Sequence, residues 1–256
     1  MRKKKHLLTR IERFFLKLIL IPVILCLLYS GWKYYFKDDS HAADVDSSNI
    51  STANIVKKKS IQLDVPLLNQ LDEPSLYNGC EVTSLAMLLN YRGISVTKNE
   101  LAQNIAVVPL TDENGNYGDP NQGFVGSIDG SEKGYSVYHG PIAKLAQDYV
   151  GEDLKVVDLS NHSFNTLLNT LSNGNPVWVI TTVNYAPTDD METWQTANGE
   201  VEISWSVHSV VVTGYDEHYI YVNDPYGEKD KKVDRTSFKQ AWIQMGRQAV
   251  TIQKTT

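Results

Sequence analysis

The sequence predicts a domain of the α+β class, with helices in its first half and a mostly antiparallel sheet in its second. Apolar residues recur at helical spacing between residues 80 and 149, and residues 176–252 consist largely of short segments with strand composition. About 195 of the 256 residues lie beyond the N-terminal segment and its linker, which is enough chain for one hydrophobic core. The order of these elements favours helices packed on a sheet within one domain.

The elements of the first half follow from periodicity and capping residues. Residues 61–68 alternate apolar and polar side chains, which predicts a short edge strand or an extended entry segment. Over Cys80–Tyr91 the apolar residues fall at i, i+3, i+4 and i+7, which predicts a helix that ends before Gly93. Thr97 begins a capping box for a second helix over residues 98–105.

The later elements are predicted from composition. Residues 109–140 contain seven glycines and no clear period, which is typical of a long loop that builds a site or a lid. Helices are expected over residues 141–149, 163–171 and 236–245, and strands over residues 154–159, 176–183, 200–205, 208–214, 219–223 and 248–252.

The charge distribution argues against nucleic acid as a partner. The formal net charge of −6 is the sum of a basic N-terminal part and an acidic remainder. Residues 1–37 hold nine Lys or Arg and one acidic residue, whereas residues 38–256 hold 15 basic and 29 acidic residues. Phosphate binding requires clustered Lys and Arg, which the acidic domain does not offer. The two cysteines of the chain, Cys26 and Cys80, exclude a disulfide scaffold and a thiolate zinc site.

The N-terminus has the pattern of a membrane anchor. Basic residues are concentrated in residues 2–17. The 19-residue segment 14–32 carries only one charge, and as a helix it is just long enough to cross a bilayer. Because basic flanks stay on the cytoplasmic side, residues 1–13 are expected in the cytoplasm, and the chain is expected to be a single-pass protein of the cell membrane. Residues 33–60 predict a flexible linker, which leaves 61–256 as an extracellular domain.

A cleaved signal peptide is the main alternative to this anchor. No small-x-small cleavage site follows the apolar run directly, since residues 29–33 are bulky and the alanine pair 42–43 lies further downstream. Lipid attachment is disfavoured because Leu25 precedes Cys26, where a lipoprotein signal has Gly or Ala. An interfacial helix is disfavoured because residues 18–29 are apolar on every side.

Cys80 is the candidate nucleophile. It is the only cysteine outside the predicted membrane segment, and it follows Gly79 at the first turn of the predicted helix. Unpaired backbone N–H groups and the helix dipole at that position favour the thiolate, which is the reactive form of cysteine. A small buried apolar residue is the alternative interpretation of Cys80.

Two residues on neighbouring predicted strands could activate this thiol. His208 opens a strand, so its imidazole would project from a rigid element, although a satisfied core histidine is the alternative. Asp224 ends the next strand and could fix the tautomer of His208, with a strand-ending turn as its alternative and Asn223 as a rival orienting residue. The other histidines of the domain are expected in loops as solvated side chains: His139, His162 and His218.

Two further motifs could carry chemistry. Gln70 lies ten residues before Cys80, and its amide could donate to an oxyanion together with the Cys80 backbone N–H, although a glutamine is commonly just polar surface. Asp112, Asn114 and Asn116 begin like a calcium loop. The glycine and closing glutamate of that motif would fall on Tyr117 and Gly123, so no metal is predicted.

Several blocks of the sequence resemble one peptidase family. The blocks are LDVPLLNQ, NGCEVTSLAMLLNYRG, NQGFVG, GYSVYHGPIAKLA, GNPVWV, HSVVVTGYDEHYIYVNDP and FKQAWIQMGRQAV. They resemble the double-glycine-peptidase-like (bacteriocin-processing-like) family of papain-fold cysteine peptidases, in its stand-alone, membrane-anchored branch. The resemblance runs over residues 61–252 and implies a papain-like α+β fold whose N-terminal helices carry the nucleophile and pack on the sheet.

The resemblance also implies an activity and four site residues. Cys80 matches the nucleophile of the family, His208 its base, Asp224 its orienting acid and Gln70 its oxyanion glutamine, although the interval from Gln70 to Cys80 is longer than in the shorter members. The implied reaction is hydrolysis of an amide bond in a peptide or protein substrate through an acyl-enzyme. No metal or organic cofactor is implied, and the membrane is a partner through the N-terminal helix alone.

Two other functions remain open from the sequence. A cell-wall peptide amidase would use the same residues on a cross-link or side chain of the wall, although the chain has no recognisable wall-binding repeat. A non-catalytic surface interaction domain could retain the scaffold without the reaction. The complete set of Cys, His and Asp argues against this second alternative.

Overall fold

The computed structural model of the protein describes residues 58–255. The predicted anchor over residues 14–32 lies outside the described residues, as does nearly all of the predicted linker. Between residues 58 and 255, no helix combines the length and the apolar character that crossing a membrane requires.

The described chain begins with helices and short strands. In order, these elements are β1 (Ile61–Gln62), α1 (Cys80–Tyr91), α2 (Lys98–Asn104), β2 (Val107–Val108), β3 (Phe124–Val125), α3 (His139–Gln147) and β4 (Leu154–Asp158). Most of the strands follow: α4 (Phe164–Ser172), β5 (Val177–Thr182), β6 (Met191–Thr196), β7 (Gly199–Ser204), β8 (Val207–Tyr215), β9 (Tyr219–Asp224), β10 (Glu228–Asp234), α5 (Arg235–Gln244) and β11 (Ala249–Lys254). Helices first and strands later is the predicted α+β order.

One antiparallel sheet forms the centre of the domain. Its strand order is β10-β9-β8-β5-β11-β4, with β1 paired to β8, and every pairing in it is antiparallel. The central strand β8 has eight buried residues out of nine, because helices cover both faces of the sheet. This is why Val210, Val211 and Val212 follow one another in β8 instead of alternating with polar residues.

Helices pack on both faces of the sheet. On one face, α1 and α3 share a core with side chains such as Trp178 of β5 and Val250 of β11. On the other face, α4 and α5 pack against Val179 and Val210. Neighbouring residues of β5 therefore point into different cores, as the pleat of a strand requires.

Helix α1 has the predicted bounds and is buried at ten of its twelve residues. Two polar contacts fix it to the sheet, since Ser84 Oγ donates to the Ser209 carbonyl at 3.1 Å and Trp178 Nε1 donates to the Glu81 carbonyl at 3.0 Å. Arg92 caps its C-terminus, and Gly93 follows with a φ of +81°, which is the left-handed conformation that glycine adopts at little cost. The predicted end of the helix is confirmed.

The sequence pattern missed two longer strands. β6 pairs with β7 as a separate hairpin, and β10 is an edge strand with the charged sequence EKDKKVD. Charged side chains are typical of sheet edges, where they discourage pairing with other chains, but they remove the apolar signal that predicts a strand. Of the segment 61–68, predicted as a short edge strand or an extended entry segment, only Ile61–Gln62 forms a strand, and Pro66 follows in the remainder.

The segment that begins like a calcium loop, from Asp112 to Asn116, forms a local turn. Asp112 Oδ1 accepts hydrogen bonds from the backbone amides of Asn114 and Asn116, and its Oδ2 accepts from the Asn116 side chain. These contacts are those of an Asx-type turn, in which the aspartate side chain accepts hydrogen bonds from backbone amides of its own loop.

Candidate active site

Cys80 is the first residue of α1. It follows Gly79, a position at which the neighbouring atoms leave no room for a larger side chain. A Cβ atom on Gly79 would lie 2.5 Å from Leu76 Cβ, so a larger residue would displace the segment that leads into the helix. Gly79 is the N-cap residue and supplies no side-chain hydrogen bond. The backbone N–H groups of the first turn are therefore left without a side-chain cap at the place where Cys80 begins the helix.

The Cys80 thiol is free and buried, with 8% of the residue exposed. Burial raises its pKa well above the ordinary value, the nearby Glu81 carboxyl raises it further, and the Ser209 backbone amide opposes them by lowering it. The helix dipole by itself favours the thiolate. The resting thiol of this structure is thus more protonated than the helix position alone predicts, because desolvation and Glu81 act against the dipole.

His208 and Asp224 form a buried pair. His208 Nε2 lies 2.9 Å from Asp224 Oδ1, and the two side chains are 1% and 3% exposed. Strands β8 and β9 pair with Val211 opposite Asn223, which places Asp224 beside Val210 and diagonal to His208 on the same face of the sheet. The bond to Nε2 leaves Nδ1 of His208 for a second partner.

Four donors hold the Asp224 carboxylate. Its Oδ1 accepts from the Tyr226 backbone amide at 3.0 Å as well as from His208, and its Oδ2 accepts from the Tyr185 hydroxyl and from Lys231 Nζ at 3.3 Å. Burial alone would raise the pKa of Asp224, but the hydrogen bond and charge of His208, together with the Tyr185 hydroxyl, hold that pKa well below its usual range. The group therefore stays ionised at neutral pH, as an orienting acid must.

Two aromatic rings fix the imidazole of His208. The Tyr226 ring stacks on it with a centroid distance of 4.8 Å and an interplanar angle of 11°, and the Tyr185 ring approaches it edge-on at 6.5 Å. Tyr226 is 46% exposed, so it covers the imidazole on the solvent side. These contacts leave His208 little rotational freedom.

Tyr185 has an unusual backbone conformation for its type. Its φ is +56°, in the left-handed region where a residue other than glycine stores roughly 1–3 kcal/mol of strain. The residue is buried, its hydroxyl donates to Asp224, and Lys231 Nζ lies 5.1 Å from its ring centroid. The bond to the carboxylate and the surrounding packing hold the strained conformation in place.

We expect Tyr185→Phe to lower the amide hydrolysis that the sequence resemblance implies by about ten- to a hundredfold, because a hydrogen bond to a charged group is worth about 1.5–3 kcal/mol. The hydroxyl lowers the pKa of Asp224, so its removal should move the acid limb of the rate profile to higher pH. The measurement is the cleavage rate against pH. Tyr221→Phe is the matched control, since the Tyr221 hydroxyl donates to Asp216 at 2.7 Å. Equal profiles for the two variants would contradict a positioning role for Tyr185.

Asn223 has a structural role in this arrangement. Its amide nitrogen donates to the Val65 carbonyl at 2.9 Å, and its oxygen accepts from the Asp230 backbone amide at 3.0 Å. Both ends of the Asn223 side chain are used away from His208. Of the two orienting residues that the sequence left open, Asp224 is the one bonded to His208.

Gln70 is buried next to the segment that leads into α1. Its Nε2 donates to the carbonyls of Leu76 and Tyr77 at 3.2 and 2.9 Å, and its backbone amide donates to the Pro225 carbonyl at 2.7 Å. Gln70 therefore joins the loop after β9 to the approach of Cys80. Polar surface, the alternative interpretation, is wrong for this residue because it is only 1% exposed. Its role as an oxyanion donor stays a prediction.

Cys80 begins the helix that packs on the strand of His208, since Ser84 of α1 bonds Ser209 of β8. The charge of Asp224 raises the pKa of the Cys80 thiol, and Cys80 in turn contributes to the raised pKa of Tyr226, whose ring stacks on His208. Among residues 58–255, no hydrogen bond joins the Cys80 sulfur to the His208 ring. Such contacts commonly tighten only when substrate binds.

The other histidines of the domain do not belong to the His208–Asp224 pair. His139 is the first residue of α3, and not a loop residue as predicted, and its Nδ1 lies 2.6 Å from Asp158 Oδ2. That pair is partly exposed. His162 and His218 lie in exposed loops as expected.

Four residues of the site have no counterpart in the sequence prediction: Glu81, Tyr185, Tyr226 and Lys231. For Glu81 a signal was present, since a carboxyl directly after the candidate nucleophile interrupts a helix that is otherwise apolar or small. The other three reach the site through loop and edge-strand positions, which carry no periodic signal.

A buried His–Asp pair on adjacent antiparallel strands, with a cysteine at the N-terminus of a helix that packs on one of them, is typical of the papain-like class of cysteine peptidases. The sequence profile of the Peptidase_C39 like family matches residues 62–250. The chain belongs to this family. The resemblance to this peptidase family is confirmed, as is the papain-like α+β fold, and the stand-alone, membrane-anchored branch stays a prediction.

Two bacterial proteins are similar to this chain over most of its length. The uncharacterized protein YvpB of Bacillus subtilis strain 168 is 57% identical over 212 residues, which cover 82% of this chain and 84% of YvpB. The crystal structure of a candidate C39-like peptidase from Bacillus anthracis matches with a TM-score of 0.73 and 44% identity, and covers 78% of this chain and 100% of its own.

Proposed function

We propose that this protein is an extracytoplasmic, membrane-anchored cysteine peptidase that cleaves a peptide amide bond through Cys80, His208 and Asp224. The observation that carries the proposal is the fully buried bond from His208 Nε2 to Asp224 Oδ1, a carboxylate whose charge reaches the Cys80 thiol. A histidine held in one tautomer beside a thiol is the arrangement that nucleophilic catalysis requires.

The reaction would proceed in two halves. The Cys80 sulfur transfers its proton to His208 Nδ1 and attacks the carbonyl carbon of the scissile amide, and His208 then returns the proton to the leaving amine. Water, activated by the same imidazole, hydrolyses the thioester and regenerates the thiol. Asp224 stabilises the imidazolium in both halves, because its carboxylate is ionised and bonded to Nε2.

The oxyanion of the tetrahedral intermediate needs donors near the sulfur. The Cys80 backbone N–H lies at an uncapped helix start, and helix N-termini favour negative charge. Gln70 Nε2 is the second proposed donor, and it would share or exchange its 3.2 Å bond to the Leu76 carbonyl when the oxyanion forms.

Cleavage assays of the full chain in detergent test the proposal. The substrates are a library of synthetic peptides and, separately, purified cell-wall peptidoglycan, so that a peptidase and a wall amidase give different products. Cys80→Ala should abolish cleavage, whereas Cys26→Ala, which removes the other cysteine, should leave it unchanged. Cleavage that survives Cys80→Ala, or no cleavage of any of these substrates, would contradict the proposal and favour a non-catalytic interaction domain.

Gln70→Ala is expected to lower the turnover rate by about a hundred- to a thousandfold, the effect of removing one oxyanion donor. Because the same amide bonds Leu76 and Tyr77, the melting temperature is measured alongside the rate. Gln248→Ala is the matched control, since the Gln248 side chain is also buried and bonded to a backbone carbonyl, that of Met245. A variant of Gln70 with a full rate would assign the oxyanion to other donors.

The membrane location rests on the sequence of residues 14–32, with its basic flank and single charge. Protease treatment of intact cells should release the domain into the medium. Protection of the domain in intact cells, with digestion only after lysis, would contradict export.

A further inference from the structure

The chain that leads to Cys80 forms a closed loop, residues 70–76, which we call the approach loop. Gln70 closes it twice, because its backbone carbonyl accepts from the Leu76 amide at 2.8 Å and its Nε2 donates to the Leu76 carbonyl at 3.2 Å. The Leu76 carbonyl also accepts from the Gly79 amide at 3.0 Å, one residue before Cys80. A movement of the approach loop would therefore change the position of Gln70 relative to the first turn of α1.

The outer turn of the approach loop is bonded to a lysine of α2. Lys98 Nζ donates to the Asp72 carbonyl at 2.8 Å and to the Pro74 carbonyl. Its third acceptor is Asn99 Oδ1 at 3.1 Å. The Asn99 amide nitrogen in turn donates to the Pro74 carbonyl at 2.9 Å. The first turn of α2, capped by the Thr97 side chain, thus binds two carbonyls of the loop.

The surroundings of Lys98 fit a charged amine. The residue is 8% exposed, and among residues 58–255 no carboxylate forms an ion pair with it. Burial lowers the pKa of Lys98, and the charges of Asp72 and Glu73, beyond ion-pair distance, oppose that effect. A buried ammonium is unfavourable unless its N–H groups are hydrogen-bonded, and here three donors meet three oxygens. A neutral amine would turn its lone pair toward one of these oxygens.

A groove separates part of the approach loop from α2. Residues 74–76 line one side of it, residues 99–103 of α2 line another, and its volume is about 460 Å³. Because side chains do not fill this space, packing alone does not fix the distance between the two elements. The hydrogen bonds of Lys98 and Asn99 connect the loop to α2 at the end of the groove.

We propose that Lys98 is a positioning residue of the oxyanion site, which acts through the approach loop on the Gln70 amide. The proposal rests on the proposed function, because it concerns the donor that the peptidase would use. An oxyanion donor is effective only at about 2.7–3.1 Å from the developing charge, so the loop that carries Gln70 must keep its distance from Cys80. Lys98 ties this loop to α2, whose Leu101 lies in the same hydrophobic core as α1.

Lys98→Met keeps a long, unbranched side chain and removes every N–H donor. We expect kcat for peptide cleavage to fall about ten- to a hundredfold, since a misplacement of about 1 Å can cost about a hundredfold. KM should stay nearly unchanged, because the oxyanion forms on the way to the products and not in the bound substrate. The measurement is steady-state cleavage by the full chain in detergent.

A double variant with Gln70→Ala separates positioning from a general loss of stability. If Lys98 acts through the Gln70 amide, Lys98→Met should lower kcat in the wild-type background and have no further effect where that amide is already absent. Two residues that act as one unit show such non-additivity. An equal fold-loss in both backgrounds would overturn the proposal. A full rate for Lys98→Met or for Gln70→Ala would also overturn it.

Arg92→Met is the matched control. Arg92 is another partly buried cation bonded to a backbone carbonyl, since its Nε donates to the Ile252 carbonyl at 2.8 Å, but it lies at the opposite end of α1 from Cys80. Its loss should lower the melting temperature and leave kcat unchanged. A loss of kcat in Arg92→Met as large as in Lys98→Met would contradict a role specific to the approach loop.

A second variant keeps the proposal testable if Lys98→Met does not fold. Asn99→Ala removes one donor to the Pro74 carbonyl and one acceptor of Lys98. We expect kcat to fall about two- to tenfold, the effect of a neutral hydrogen bond, and again only in the background that retains Gln70. An unchanged kcat for Asn99→Ala would count against the proposal.

Hydrogen–deuterium exchange of the full chain in detergent gives a readout that requires no cleavage. The Leu76 and Gly79 amides should exchange about tenfold faster in Lys98→Met than in the wild type or Arg92→Met, because the bonds of Lys98 oppose local opening. Unchanged exchange would overturn the proposal even if the wild type cleaves peptides. Faster exchange without any cleavage by the wild type would instead reject the peptidase function, and with it the part of Lys98 in that reaction.

Discussion

His208→Ala is expected to lower peptide cleavage by about 10⁶-fold, the loss seen when the base of a catalytic triad is removed. Without the imidazole, the buried thiol has no acceptor for its proton, and burial has already raised the thiol pKa. Iodoacetamide alkylation of Cys80 should also require higher pH, because the imidazolium that stabilises the thiolate is gone. The measurements are the cleavage rate and the pH profile of alkylation.

His139→Ala is the matched control for this variant. Between residues 58 and 255, His139 is the other histidine bonded to an aspartate, with Nδ1 2.6 Å from Asp158 Oδ2. Its replacement by alanine therefore removes the same kind of side chain at a different place in the domain. We expect a full cleavage rate for His139→Ala. If His208→Ala retained the rate as well, with an unchanged alkylation profile, Cys80 would be an ordinary thiol and the peptidase proposal would be wrong.

Asp224→Asn is expected to lower cleavage by about 10⁴-fold, because an amide in place of the carboxylate favours the wrong tautomer of the histidine. Asparagine keeps the shape, but it cannot stabilise an imidazolium. Some alkylation of Cys80 should remain, since the helix N-terminus still favours the thiolate. The matched control is Asp158→Asn, which alters the partly exposed His–Asp pair and should leave cleavage intact.

The low pKa of Asp224 also has a consequence for the wild-type protein. Because the folded-state pKa lies below the unfolded value of about 3.9, the stabilising bond to His208 is fully present above that value. It is lost only as the pH falls through the lower folded pKa. Folded wild-type protein should therefore keep an ionised Asp224 down to about pH 4, and a loss of activity near pH 6 would have to come from another group.

Local sequence patterns were sufficient for the elements that carry the proposed triad. The apolar spacing after Cys80 gives the helix its observed bounds, Cys80–Tyr91. The apolar run after His208 gives β8, and the short connection to β9 makes antiparallel pairing of the two strands the simplest arrangement. The contact between His208 and Asp224 was therefore expected, since a hairpin brings residues near its open ends together.

The ionisation of Cys80 could not be predicted from local sequence patterns. A helix N-terminus is a local feature and predicts a thiolate, whereas desolvation depends on everything that packs over the sulfur. In the folded domain, burial and the Glu81 carboxyl both raise the thiol pKa. Helix position alone gave the wrong direction for the resting thiol because it omits these two contributions.

The sequence by itself determined the α+β class, the helix that begins at Cys80 and the adjacent strands of His208 and Asp224, because each depends on periodicity, turns and pairing between near neighbours. Only the tertiary structure decided how the site is held and charged. Tyr185 and Lys231 reach Asp224 from outside its strand, and Gln70 binds the approach to Cys80 through two carbonyls. Such contacts and the desolvation that shifts pKa values arise from packing between distant segments, which no local pattern encodes.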